Sequence, residues 1–144
     1  MLLHAIFFIL LALAAIWDAC TRTCPNVLSV LLACAGCGCA LIDAGPGGFL
    51  PRLVLAGVVL VALVAFELTW RKHFGRSGLG MGDSKVLFGA MLLHPGAALA
   101  AFSVGLLALA VWCACAKRTS APVLPFFAPC MLVAYLAFKF YELS

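Results

Sequence analysis

Six apolar runs, separated by short polar or glycine–proline breaks, constrain this chain more than any other feature: residues 2–17, 27–44, 51–70, 84–94, 96–116 and 123–141. Most approach the roughly 20 residues that a helix needs to cross about 30 Å of hydrocarbon. Water is absent there, so each run has to close its own backbone hydrogen bonds, and a helix does this within one segment. Composition removes the soluble alternative, because 67% of the residues are hydrophobic and only 10% are charged. No water-soluble core needs so much apolar surface. The expected fold is an all-α membrane protein, a bundle of six transmembrane helices, with residues 1–144 as a single integral-membrane domain. The first run has no Lys or Arg before Arg22, and further spans follow it. It therefore reads as a retained helix and not as a secretory signal.

Charge orients the bundle. If six helices alternate, the loops at 18–26, 71–83 and 117–121 share one face. That face and its flanks carry Arg22, Arg71, Lys72, Arg76, Lys85, Lys117 and Arg118, against Arg52 and Lys139 on the other. The positive-inside tendency puts the first group in the cytosol and both termini outside it. A formal charge of +4 scattered in this way points to topology and not to nucleic acid as a partner. The fourth run is short, roughly 16 Å of helix, and Pro95-Gly96 follows it. A turn there gives six spans. A kink gives five and sends Lys117 and Arg118 outside, so their charge favours the turn.

Eight cysteines suggest a disulfide or metal framework only at first sight. Cys34, Cys37, Cys39, Cys113, Cys115 and Cys130 lie inside apolar runs, where cysteine behaves as a small hydrophobe. Cys34-x-x-Cys37-x-Cys39 has no histidine or carboxylate at ligand spacing, and Cys20-x-x-x-Cys24 is the other ligand-like pair. No metal and no cofactor are expected. His4, His73 and His94 have no companions that suggest a ligand set, and Trp17, Trp70 and Trp112 fit interfacial anchors near helix ends.

The five acids sort by side. Asp43 and Glu142 fall on the outer face, whereas Asp18, Glu67 and Asp83 fall at the cytosolic ends of their helices. Glu67 precedes Arg71 by four residues, the spacing of an exposed helical ion pair, with a supporting place beside the other acids as the alternative. Asp83 suits a helix N-terminus, but Asp18 at a C-terminus opposes the macrodipole. An acid at the edge of hydrocarbon is a functional-site candidate. Two carboxyls sharing a small, partly dry site do not ionise together, so one keeps a proton as general acid while the other serves as base. Such a pair activates a water, directs it to an amide carbonyl and protonates the leaving nitrogen. Gly80 and Gly82, flanking Met81 before Asp83, leave bare backbone against which an extended peptide can lie. Lys85 is a candidate contact for substrate or lipid phosphate, or a snorkelling side chain. Arg22 is either a substrate contact or positive-inside charge, and Asn26 after Pro25 fits a helix cap.

At these residues the sequence resembles the prepilin peptidases, membrane aspartyl proteases of the GxGD type. Gly80-Met81-Gly82-Asp83-Ser84-Lys85 matches the family's G-x-G-D-x-K signature. Asp18, Arg22 and Pro25-Asn26 are similar to its first cytosolic loop, and Leu124-Pro125-Phe126 through Pro129 to the opening of its last helix. The resemblance implies Asp18 and Asp83 as the catalytic pair, with Gly80, Gly82, Lys85 and Arg22 at the substrate. It implies a pilin-like precursor cut at the cytosolic face of the bacterial inner membrane. Cys24 stands where the family usually has an aliphatic residue, and nothing offers the Cys-x-x-Cys insert of the long forms. The chain looks like the short form associated with Tad/Flp pilus assembly. Two other classes fit the same composition: a small proton- or cation-coupled transporter, and a non-catalytic pilus-assembly subunit.

Overall fold

The computed structural model describes residues 2–21, 24–75, 81–115 and 123–143. These form five helices: α1 (Leu2–Thr21), α2 (Asn26–Phe74), α3 (Met81–Leu93), α4 (Pro95–Cys115) and α5 (Leu124–Leu143). By length and composition α1, α2, α4 and α5 can each cross a membrane. With 13 residues, α3 is roughly 20 Å long and falls short of the hydrocarbon thickness.

The longest helix is two arms. Gly45 breaks α2 with φ 64° and ψ −177°, a region that essentially only glycine enters. Pro46 follows, at a first helical position where its missing N–H costs nothing. The arms, residues 26–44 and 46–74, are roughly 28 and 43 Å long at 1.5 Å per residue. They run in opposite directions, as their contacts with α3 show. Along the first arm, Asn26 meets Lys85, while Leu32 and Gly36 meet Gly89, so this arm runs parallel to α3. The second arm starts at the other end of α3, where Arg52 Nη1 donates to the Leu93 carbonyl at 2.9 Å. It ends at Gly75, a left-handed cap whose N–H bonds the Arg71 carbonyl, a few residues before α3 begins. The sequence suggested a break over residues 45–50; a single glycine makes it.

His94 separates α3 from α4. Its ring Nδ1 accepts the Ala97 N–H at 3.1 Å, so it caps α4, and Pro95 takes the first helical position. Gly96 packs on Phe138 and Gly105 on Phe126–Phe127, so α4 runs antiparallel to α5. Pro95-Gly96 therefore belongs to a turn, not a kink.

These directions define two ends. One carries Asp18, Asn26, Gly75, Asp83 and Leu124. The other carries two histidine–carboxylate pairs, His4 Nε2 with Asp43 Oδ2 at 2.8 Å and His94 Nε2 with Glu142 Oε1 at 3.3 Å. The rings of His4 and His94 both lie beside Tyr135. Arg52 adds a cation at the C-terminus of α3, where the helix dipole favours it. Asp43 and Glu142, assigned by sequence to the face away from the other acids, are both held at this end.

α3 lies at the centre. Val86, Leu87, Ala90, Met91, Leu92 and Leu93 are all buried, as expected of a helix that is apolar on every side. Phe7 and Leu11 of α1, Leu32 and Cys39 of α2, and Phe127 and Met131 of α5 belong to the same cluster. Within lipid, helices associate through packing more than through water exclusion, and small residues let backbones touch. At the tightest point a Cβ on Gly36 would stand 2.4 Å from the Gly89 carbonyl oxygen. Gly36→Val should therefore destabilise the protein by about 1–3 kcal/mol, read as a lower melting temperature in detergent. Gly57→Ala, whose Cβ would meet nothing within 4 Å, should melt at or above wild type.

Candidate active site

The first acid sits inside a helix, not beyond its end. α1 continues to Thr21, four residues past the apolar run, so Asp18 shares a face with Leu11, Ala14 and Ala15 and turns into the bundle. It is 6% exposed. The Leu124 backbone N–H bonds its carboxylate, so an acid of α1 takes up one of the unpaired donors at the N-terminus of α5. The other oxygen, Oδ2, is buried without a hydrogen-bond partner among the described residues. An unpaired buried acceptor costs about 1–3 kcal/mol. A water or a proton would satisfy it.

The second acid opens α3. That helix begins at Met81, three residues earlier than its apolar run, so Asp83 lies in its first turn where the dipole favours a negative charge. Asp83 is half-buried and Ser84 beside it is buried.

Cys24 is the point where the two acids converge. It lies between α1 and α2, and a Cβ on Gly82 would stand 2.8 Å from its Cβ. The missing side chain is what lets the α1–α2 connection rest on the start of α3. The Cys24 Sγ is 3.5 Å from Oγ of buried Ser29. Burial pushes the Cys24 thiol above its usual range, and the Ser29 contact draws it back. The Asp18 and Asp83 carboxylates each push it up further, while the Lys85 ammonium draws it down. Two carboxylates far apart in the chain thus act on one sulfur.

Around this point the structure corrects two local expectations. Asn26 makes no cap: the α2 N-cap is Pro25, with no side-chain cap bond, and the Pro25 carbonyl accepts the Leu28 and Ser29 N–H groups. The Asn26 Oδ1 instead accepts Lys85 Nζ at 2.7 Å, between two exposed side chains at this rim. Glu67 forms the expected i,i+4 contact with Arg71 at 3.3 Å, but its side chain is 3% exposed against 53% for Arg71. Glu67 is therefore a second buried acid at this end, with Asp83 half-buried. Gly80 and Arg22, with Arg76, Lys117 and Arg118, lie outside the described residues.

Trp17, Trp70 and Trp112 all belong to this end of the bundle, each near the C-terminus of its helix and exposed. Indoles gather at the membrane–water interface, so the acids lie at about that depth. All eight cysteines are free thiols. Among the described residues no group of three or more His, Cys, Asp or Glu is gathered to hold a metal. Sequence reasoning missed the Leu124 N–H and the contacts of Cys24. The Pro-Phe opening of α5 signals the first, and the unusual cysteine before Pro25 signals the second.

The fold and its acidic end define a class, multi-pass helical membrane proteins with carboxyls buried at one rim. Within that class the chain belongs to the type IV leader peptidase family, whose sequence model matches residues 5–138. No curated protein and no solved structure matches it. Membership implies a peptidase in a membrane setting.

The convergence on Cys24 has a chemical readout. A thiol held above its usual range is mostly protonated near pH 8 and alkylates slowly. At a pH high enough to ionise both acids, Asp18→Asn and Asp83→Asn each remove a negative charge, lower the thiol's pKa and should speed maleimide labelling of Cys24 several-fold. Mass spectrometry of the Cys24 peptide measures this, with exposed Cys20 as the internal control.

Proposed function

We propose that the chain is an aspartyl endopeptidase that removes the leader from type IV, Flp-like pilin precursors at the cytosolic rim of the bacterial inner membrane. The observation that carries this is that buried Asp18 of α1 and Asp83 of the first turn of α3 lie at the same end of the bundle, where Cys24 of the α1–α2 connection packs on Gly82. In the proposed reaction the ionised carboxylate takes a proton from water. The water oxygen bonds to the scissile carbonyl carbon, and the protonated carboxyl gives its proton to the departing nitrogen as the C–N bond breaks. The unpartnered Oδ2 of Asp18 suits an oxygen that exchanges a proton with an incoming water. The bare backbone of Gly82, with Gly80 just before it and Arg22 shortly after Asp18 in sequence, would receive the precursor in extended form. A helical amide is protected by its own hydrogen bond, so the precursor has to unwind at the cut.

Six passes with both termini extracytoplasmic accord with the alternating directions of the helices. Of the described basic residues, Arg71, Lys72 and Lys85 lie at the site's end, while Arg52 and Lys139 lie at the other. A transporter would need acids at mid-depth. The described acids lie at the two ends, and the pair away from the site is engaged by histidines.

Co-expression with a pilin precursor tests the proposal. Asp18→Asn and Asp83→Asn should each cut processing by about 100-fold or more, seen as unshifted precursor on a gel, with the mutant proteins still folded. Undiminished cleavage by either would reject the mechanism. Wild-type activity should fall on both the acid and the alkaline side, because one carboxyl must be ionised while the other keeps its proton.

A further inference from the structure

We infer that Lys85 and Asn26 form a positioning pair that sets the separation of Asp18 and Asp83, and that neither side chain contacts the substrate. Asn26 opens α2 directly after Pro25. At such a place an asparagine ordinarily spends its side chain on its own helix. Here the cap bond is absent, and the amide oxygen is given to Lys85, 59 residues away in sequence, at 2.7 Å.

Lys85 is equally out of keeping with its neighbourhood. It lies near the N-terminus of α3, where the dipole disfavours a cation, and it acts on the same Cys24 sulfur as the two acids. A lysine anchored to lipid or leader would extend outward. This one reaches across to the first residue of α2.

The bond closes a short mechanical loop. Asp18 is in the last turn of α1, and the next few residues lead through Cys24 and Pro25 to Asn26. Asp83 is two residues before Lys85 on α3. The Cys24–Gly82 contact touches this loop at one point, and the Lys85–Asn26 bond fixes it at a second. The body of α3 is held by the Gly36–Gly89 approach and by Arg52, so what the second contact restrains is its first turn. Movement of that turn would swing Asp83 away from Asp18, and misplacement by about 1 Å is enough to slow a reaction markedly.

This role presupposes the Asp18–Asp83 mechanism, so those two variants are assayed alongside. Lys85→Met and Asn26→Ala should each lower kcat about tenfold with little change in KM. The double variant should be no slower than either single one, because both remove the same bond. Asn26→Asp retains the acceptor and should restore most of the rate, while its added charge moves the acid limb of the pH profile. Melting in detergent identifies any variant that fails to fold; Lys85→Ala then replaces Lys85→Met and Asn26→Leu replaces Asn26→Ala, each again without the bond. Losses that multiply in the double variant would overturn the pairing. So would an unaffected Asn26→Ala beside a raised KM in Lys85→Met, which would assign Lys85 to the leader or a lipid headgroup. Cleavage surviving in Asp18→Asn or Asp83→Asn would instead remove the mechanism itself, whatever the pair does.

Discussion

A helix too short to cross the hydrocarbon and apolar on every side has no stable place of its own in a bilayer. α3 is such a helix, and the rest of the bundle is arranged to hold it. The first arm of α2 lies against it through Gly36 and Gly89, close enough that a single methyl would collide with backbone. Arg52 of the second arm occupies its C-terminal carbonyl, and His94 turns its exit into α4. What α3 lacks in length it gains in enclosure, and that enclosure decides the depth at which Asp83 stands.

The acidic end follows from this arrangement. With α3 at the axis, the helix ends that surround its N-terminus are those of α1, both arms of α2, α4 and α5. All but α4 bring something polar: Asp18 from α1, Asn26 and Glu67 from α2, and the backbone N–H of Leu124 from α5. The indoles of Trp17, Trp70 and Trp112 ring the same level. Polar chemistry is thus collected where interfacial water can reach it, while the middle of the bundle is left to leucine, methionine, phenylalanine and alanine.

Much of this was legible in the sequence. The apolar runs marked each helical stretch to within a few residues, and the glycines before Asp83 marked the approach to α3. The side assignment of all five acids follows from charge and alternation alone, and the structure groups them the same way. What stayed hidden were the partners. Runs such as 86–93 carry only apolar residues and one glycine, so they have no amphipathic stripe from which to read a facing neighbour. Nothing in Gly36 points to Gly89, and nothing in Asn26 points to Lys85 rather than to its own helix. Glu67 shows the same limit: its spacing to Arg71 is local and was legible, whereas its burial depends on α2 folding back at Gly45. The extension of α1 to Thr21 was hidden for a related reason, since Asp18 looks like an end when only hydropathy is counted.

Gly45 and His94 make their corners with one residue each, and both corners are on the side away from Asp18. The helix ends that the longer connections join, α1 to α2, α2 to α3 and α4 to α5, are on the other side. The molecule is therefore built as a wall and a mouth. Insertions between helices find almost no chain to lengthen at the wall, where the corners are tight and the side chains are clasped to one another. Internal elaboration of such a scaffold is steered towards the mouth, beside the acids.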